Sequence, residues 1–278
     1  RFAGGAEDEM IHNILSIAGS DPSGGAGIQA DLKTFGALGA YGMAAITALT
    51  AQNTQGVRSF VALEPDFVAR QIDAVFEDVR VDAVKIGMIA TAGIAEAVAE
   101  RLAAHDARNV VVDPVMVATS GDALLAPDAA RALIARLIPL ATILTPNLPE
   151  AAKLIGAPPI RTLAQMRAAL PALRALGARW VLLKGGHLED DPDAVDLLVE
   201  SSSGEILELR APRVATKNTH GTGCTLSSAL AASLPGGSVP DAARAAKAYL
   251  TGALKAADRL EVGKGHGPVN HFWRGAET

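Results

Sequence analysis

The chain carries one cysteine in 278 residues, Cys224, which excludes a disulfide framework and a metal site built from several thiolates. There is no His-x-x-x-His spacing and no His/Cys cluster, so no ligand set for a tightly held transition metal is apparent. A dominant charge is also missing: 25 basic and 30 acidic residues leave a net charge of -5, with no basic block. A nucleic-acid partner held by phosphate neutralisation is therefore not expected. No apolar run approaches the roughly 20 residues that span a bilayer, although the mean hydropathy is +0.24. The hydrophobic content, 49% with only 4% aromatic, is far too high for a disordered chain and must fill a protein interior. A soluble, cytoplasmic protein without membrane contact is the expectation. Residues 1–9 lack an initiator methionine, apolar periodicity and a signal peptide's hydrophobic stretch. They read as a cloning remnant ahead of Met10, leaving residues 10–278 as one domain.

What is present is alternation. Residues 14–18 form a strand pattern that stops at Gly19, and 25–38 a helix closed by Gly39, the usual place for a C-terminal glycine. Residues 43–49 are a second buried run. Pro65 opens a helix with Val68, Ile72, Val75 and Val79 on one face. Short strands are expected at 83–86, 110–112, 142–144 and 181–183, with helices around 92–104, 128–138, 148–155 and 163–176. Residues 194–200 and 205–210 flank Ser-Ser-Ser-Gly and read as an antiparallel hairpin near the sheet edge. Two late helices are expected at 223–234 and 242–260. The pattern implies a three-layer α/β fold, with a mainly parallel central sheet flanked by helices and right-handed crossovers. Functional groups then belong at the carboxyl ends of the strands.

Two phosphate-binding fingerprints fail at the first glycine-rich loop. Gly19 and Gly24 have Walker-like spacing, but Gly25-Ala26 follow where Lys-Ser/Thr would supply the cation and the magnesium hydroxyl. Gly25-Ala-Gly27-Ile-Gln-Ala30 matches the relaxed dinucleotide pattern. The turn from the preceding strand is too long, however, and no acidic residue ends the next strand for a ribose contact.

The stretch Leu15-Ser-Ile-Ala-Gly-Ser-Asp-Pro-Ser-Gly-Gly-Ala-Gly-Ile-Gln-Ala-Asp-Leu-Lys-Thr-Phe35 closely resembles the hydroxymethylpyrimidine/phosphomethylpyrimidine kinases of thiamine biosynthesis, within the ribokinase superfamily. The resemblance continues through Ala51-Gln-Asn-Thr-Gln-Gly56, Lys85-Ile-Gly-Met88, Thr145-Pro-Asn-Leu-Pro-Glu150, Lys184-Gly-Gly-His187 and Thr216-Lys-Asn-Thr-His-Gly-Thr-Gly-Cys224. It ends near Gly263-Lys-Gly-His-Gly267 and covers essentially everything after Met10. It implies a ribokinase-like fold. It also implies ATP- and Mg2+-dependent phosphorylation of 4-amino-5-hydroxymethyl-2-methylpyrimidine, then of its monophosphate.

Asn218-Thr-His-Gly-Thr-Gly-Cys224 leads into a helix with Leu226, Leu230 and Leu234 on one face. Glycines there let backbone N–H groups converge at a positive helix end, a suitable cradle for transferring phosphoryl oxygens. The resemblance assigns this anion hole to Gly221, Thr222, Gly223 and Cys224. Cys224 stands where most of the superfamily has an aspartate base, and a helix N-terminus lowers a thiol from about 8.5, which allows a thiolate at neutral pH. Asn147 and Glu150 match the superfamily's Asn-x-x-Glu element, which orders magnesium's water shell. The same pair also makes an ordinary helix start. Lys184 ends a strand where nucleotide phosphates would lie. Asp113, before Pro114, is either a metal-placing carboxylate or a turn residue, and Lys247 either a phosphate contact or a solvated charge. For the substrate, the amide of Gln52 can both donate and accept towards an aminopyrimidine edge. The resemblance maps Gly19, Asp31, Met88 and Val115 onto the same pocket, Asp31 being equally readable as a helix-start charge. Thr50 departs from the valine common at its position. His12, His105 and His271 read as surface residues, whereas His187 and His220 lie inside matched blocks.

The nearest alternative activity is pyridoxal phosphorylation, since pyridoxal also offers a ring hydroxymethyl. A catalytically inactive, vitamer-binding regulator is the alternative of another class, and intact Cys224, Lys184 and Glu150 count against it. Superfamily relatives are often dimers, so a homodimer is the expected assembly.

Overall fold

Strands buried on both faces must be apolar at every position, and the centre of the sheet is built this way. β1 (Asn13–Ser20), β4 (Ala83–Ile86), β5 (Val110–Val112), β6 (Ile143–Leu144) and β7 (Trp180–Gly185) lie side by side. The computed structural model describes residues 10–116, 126–186 and 188–275. Residues 1–9, read above as a remnant, and His187 lie outside the described residues. β2 (Tyr41–Asn53) and β3 (Gly56–Ala62) extend the sheet beyond β1, and β8 (Asp193–Glu200) and β9 (Ile206–Pro212) beyond β7. The order is β3-β2-β1-β4-β5-β6-β7-β8-β9. The run from β2 to β7 is parallel, while β3 pairs antiparallel with β2, β8 with β7, and β9 with β8.

Alternate residues feed two helical layers. Leu15, Ile17, Val84, Ile86, Val110 and Val112 pack on one face against α2 (Pro65–Phe76) and α3 (Ala92–Ala104) through Val68, Ile72, Ile94 and Val98. α4 (Pro127–Ala132), α5 (Leu148–Leu154) and α6 (Leu163–Arg174) follow in the chain, and Met166, Leu170 and Leu173 of α6 pack on Val181 and Leu183. The other face carries Ile14, Ala83, Val111, Ile143 and Leu182. These pack on α1 (Gly27–Ala37), α7 (Thr222–Ser233) and α8 (Val239–Lys255) through Phe35, Leu226, Leu230 and Tyr249. The three-layer, mainly parallel α/β architecture agrees with the sequence pattern.

Three local features depart from it. β3 had no counterpart among the expected strands, because it has no buried face to give it an apolar period: Phe60 and Val61 are 39% and 68% exposed. β2 also runs to Asn53, well past the expected end at residue 49. The helix expected at 128–138 stops at Ala132 and widens into a π turn over Leu133–Leu137, then tightens over Ile138–Leu140. Pro139 lies in that last turn, where its ring and missing N–H preclude a regular α-helix. Gly39 follows α1 with φ +79°, the left-handed geometry that a C-terminal glycine supplies.

A charge breaks the apolar rule at the centre of the sheet. Lys85 on β4 has no exposed surface, and its Nζ donates to Asp31 Oδ1 and Oδ2 at 2.9 and 2.8 Å. Ser16 Oγ and Ser228 Oγ each donate to the same carboxylate at 2.6 Å, tying α1, β1, β4 and α7 together. Removing one partner of such a pair strands a buried charge, which costs about 3–5 kcal/mol. Lys85→Met should therefore lower the urea unfolding free energy by about that amount. A loss no larger than a surface substitution gives would contradict this role.

Candidate active site

At the carboxyl ends of the strands, two glycine-rich loops meet backbone to backbone. The loop after β1 is folded around the buried Asp21. Its Oδ1 accepts from Ser23 N–H (2.9 Å) and Ser23 Oγ (2.7 Å), and its Oδ2 from Ala26 N–H (2.9 Å) and Gly25 N–H (3.2 Å). The second loop, 218–221, enters α7. Gly221 caps that helix at φ +78°, and a Cβ there would collide with the Gly25 carbonyl oxygen. Only glycine meets both conditions. The first-turn N–H groups of α7 have no carbonyl in their own helix. Thr222 N–H turns back to Thr219 O (3.3 Å), so the helix start presents the N–H groups of Gly223 and Cys224.

A charged pair lies directly beneath. Asp113, following β5, accepts at Oδ1 from Lys184 Nζ (2.9 Å) and Thr145 Oγ1 (3.1 Å), and at Oδ2 from Ser227 Oγ (3.2 Å). A Cβ on Gly223 would stand 3.6 Å from both Asp113 Oδ2 and Lys184 Nζ, so the helix start rests on this pair. Burial opposes both charges, but their mutual attraction wins. The Asp113 carboxyl is held below the usual range and the Lys184 ammonium above it. Glu150 is 6% exposed beside them. Burial pushes its carboxyl up to about 7, against the pull of Lys184 and with the push of Asp113. Asn147 and Glu150 form a reciprocal cap. Glu150 N–H donates to Asn147 Oδ1 and Asn147 N–H to Glu150 Oε2, both at 2.8 Å. The helix-start reading of this pair is thus realised, with Glu150 also facing Lys184 and Asp113. Two neighbouring carboxylates form a hard oxygen donor set, which fits magnesium, an ion that keeps several waters and needs few protein ligands.

Cys224 receives Gly27 N–H at its sulfur. The loss of water there pushes the thiol up to about 11; Lys85 pulls it down, while Asp31 and Asp113 push it further up. The expected thiolate at neutral pH is therefore corrected to a neutral thiol, because burial and two carboxylates outweigh the positive surroundings.

Among the residues expected around the substrate, Gly19 lies against Met88, whose sulfur would be 3.1 Å from a Cβ at position 19. Met88 packs with Ala48, Val57 and Val115. Gln52 sits on β2 beyond the end of β1, after a bulge and opposite Val57. Thr50 Oγ1 donates to Ser20 O (2.8 Å) and lies 3.2 Å from Gln52 Oε1. Gly19, Gln52, Met88 and Val115 are thus brought together. Asp31 is not a free wall, since it has no exposed surface and both oxygens are occupied by Lys85, Ser16 and Ser228. Lys247 is engaged within the protein rather than carrying a solvated charge. Its Nζ donates to Asp196 Oδ2 and Ala194 O, both at 2.7 Å, and Asp196 in turn accepts Gly185 N–H (3.0 Å).

His271 is corrected from surface to interior. It is 4% exposed, its Nε2 is 3.1 Å from Thr225 Oγ1, and burial, with Lys33, pushes its pKa down to about 4. His105 is half-buried, stacked on Phe76 and bonded to Asp73. The residue that sequence reasoning missed is Lys85, although a lysine inside the apolar run Ala-Val-Lys-Ile was a visible anomaly.

A family model described as phosphomethylpyrimidine kinase matches residues 21–270. The hydroxymethylpyrimidine/phosphomethylpyrimidine kinase of Salmonella typhimurium is 59% identical, covering 94% of this chain and 97% of that protein. A solved phosphomethylpyrimidine kinase from Clostridium difficile is 44% identical with a TM-score of 0.77, covering 88% of this chain and all of that one (100%). A pyridoxal kinase from Staphylococcus aureus, solved with AMP-PCP and pyridoxal, is 34% identical with a TM-score of 0.86, covering 96% of each chain.

The raised pKa of the half-buried thiol has a measurable consequence. A thiol titrating near 11 is about 300-fold less ionised at pH 7 than a free cysteine near 8.5. Iodoacetamide should therefore label Cys224 at pH 7 at least about 100-fold more slowly than a free thiol. The rate should climb tenfold per pH unit through pH 10. Labelling as fast as a free cysteine at pH 7 would show that the thiolate is stabilised after all.

Proposed function

The chain belongs to the phosphomethylpyrimidine kinase family, and from that premise we propose that it transfers the γ-phosphoryl group of ATP to 4-amino-5-hydroxymethyl-2-methylpyrimidine. In a second step it phosphorylates the monophosphate to the diphosphate, within thiamine biosynthesis. The observation that carries this reading is the meeting of the α7 N-terminus with the Asp113–Lys184 pair at the strand ends.

Phosphoryl transfer asks the protein mainly for positioning and charge stabilisation. The N–H groups of Gly223 and Cys224, with the α7 dipole behind them, receive the equatorial oxygens of the transferring group. Lys184 adds a fixed positive charge, and Asp113 aims it. Asp113 and Glu150 would hold magnesium through its waters, with Asn147 fixing Glu150. When bound, the ion would offset the negative charge of the phosphate oxygens. In a loose transition state the acceptor oxygen gains little bond order before the leaving bond breaks, so its proton departs late and a strong base is unnecessary. The neutral Cys224 thiol therefore orients the hydroxymethyl oxygen rather than deprotonating it. Gln52 pairs with the aminopyrimidine edge, and Gly19, Met88 and Val115 bound the ring. The expected homodimer rests on the superfamily resemblance, whereas the expected cytoplasmic location and the absence of nucleic-acid or membrane partners rest on charge and hydropathy. Among the described residues, no helix is long and apolar enough to cross a membrane.

Pyridoxal is the acceptor to test beside the pyrimidine, given the fold shared with the Staphylococcus aureus enzyme. Retained Lys184, Glu150 and Cys224 disfavour an inactive regulator. The expected kcat/KM is at least about tenfold higher for the pyrimidine alcohol than for pyridoxal, a gap the loss of one matched polar contact would produce. Gln52→Leu should raise the pyrimidine KM about 5- to 150-fold, equivalent to about 1–3 kcal/mol, with the ATP KM little changed. Pyridoxal turnover equal to that of the pyrimidine, or an unmoved pyrimidine KM in Gln52→Leu, would overturn the assignment.

A further inference from the structure

Between the pocket side of the site and its phosphate side runs one ionic hydrogen bond that the reaction scheme above does not use. His220 Nε2–H donates to Asp21 Oδ2 at 2.8 Å, and the two side chains are 8% and 2% exposed. They are 199 positions apart in the chain. Asp21 stands two residues after Gly19, which touches Met88 in the substrate wall. His220 stands one residue before Gly221, at the entry to the phosphate cradle.

Each partner is itself anchored. Asp21 N–H donates to Gln29 Oε1 of α1 (2.8 Å), and the Asp21 carboxylate gathers the N–H groups of Ser23, Gly25 and Ala26. His220 N–H donates to Gly267 O (3.0 Å). The imidazole lies across Gly25, where a Cβ would collide with its Cδ2. Beside it the Gly25 carbonyl presses on Gly221. That backbone contact is a hard stop, which prevents the loops from closing further but does nothing to stop them separating. The Asp21–His220 bond is directional and resists separation.

We propose that Asp21 and His220 form a positioning clamp that sets the distance between the acceptor hydroxymethyl group and the phosphoryl cradle. Both side chains are buried and spent on each other, so they act through the two loops. This rests on the kinase reading above. In-line transfer needs the reacting atoms about 3–3.5 Å apart, and a misplacement of about 1 Å costs on the order of 10²-fold in rate. Opening the clamp should therefore lower kcat while leaving each separate binding surface intact. Burial would raise the Asp21 carboxyl, yet the hydrogen bonds from His220 and Ser23 hold it below the usual range. The acceptor thus stays ionised at neutral pH.

The test compares His220→Leu, His220→Gln, Asp21→Asn and the Asp21→Asn/His220→Leu double variant with the wild type by steady-state kinetics and thermal unfolding. His220→Leu should lose about 100-fold in kcat, with both KM values within about threefold of wild type. His220→Gln, which keeps a donor near Nε2, should recover to within about tenfold of wild type. The double variant should be no slower than the slower single variant, because one interaction is removed only once. If His220→Leu does not fold, His220→Gln and Asp21→Asn carry the comparison. A kcat near wild type in Asp21→Asn or His220→Leu would overturn the clamp. So would equal losses in His220→Leu and His220→Gln, losses that add in the double variant, or losses that follow only the unfolded fraction. The wild-type rate on the pyrimidine alcohol tests the functional reading by itself. The variant ratios, taken on whichever acceptor alcohol the wild type phosphorylates best, test the clamp.

Discussion

A helix start can serve an anion only if it is held still, and here three buried acids hold it. Asp31 takes Ser228 Oγ (2.6 Å), Asp113 takes Ser227 Oγ (3.2 Å), and Asp21 takes His220 just ahead of the first turn (2.8 Å). The three acids come from α1, the end of β5 and the loop after β1, so α7 is fastened to separate parts of the framework. Each acid also needs a cation or several donors, since an unpaired buried charge costs far more than it returns. Lys85, Lys184 and His220 with the loop N–H groups meet that need. The remaining features of the site follow from satisfying these acids at the crowded strand ends.

The same groups that hold the fold set the chemistry. Lys184 is aimed by Asp113, yet lies close enough to Gly223 to face a bound phosphate. Lys85 does not reach the surface, but its charge bears on Cys224, where it offsets part of the burial that keeps the thiol protonated. A neutral thiol beside a fixed cation and a helix dipole suits a reaction in which charge shifts among phosphate oxygens and little proton abstraction is needed. Glycine has a defined part in this arrangement. At Gly25 and Gly221 it lets one loop's backbone and another's imidazole pass where any side chain would collide.

How far the residues alone disclosed this depended on how local each feature was. The central strands were legible because burial on both faces leaves an unbroken apolar run, as in residues 83–86 and 110–112. β3 was not, because an exposed edge strand has no such constraint. The glycine-rich entry to α7 was legible as a cradle, since its residue types state their backbone geometry. Long-range pairings were not. Nothing near Asp31 in the sequence shows that Lys85 and Ser228 will claim its oxygens, nothing near Lys247 points to Asp196, and nothing near Cys224 shows two carboxylates raising its pKa. His271 looked like a surface residue because the groups that enclose it, Thr225 and Tyr249, belong to α7 and α8.

The central claim is that the α7 start, the Asp113–Lys184 pair and Cys224 form one phosphoryl-transfer centre. The most direct measurement is a crystal structure of the protein with magnesium, AMP-PCP and the pyrimidine alcohol. The account requires the γ-phosphate within hydrogen-bonding distance of the Gly223 and Cys224 N–H groups, with Lys184 beside it. The hydroxymethyl oxygen should lie between that phosphate and the Cys224 sulfur, on the Gly19–Met88 side. A γ-phosphate bound away from the α7 N-terminus, or a pyrimidine outside the wall formed by Gly19, Gln52 and Met88, would contradict it.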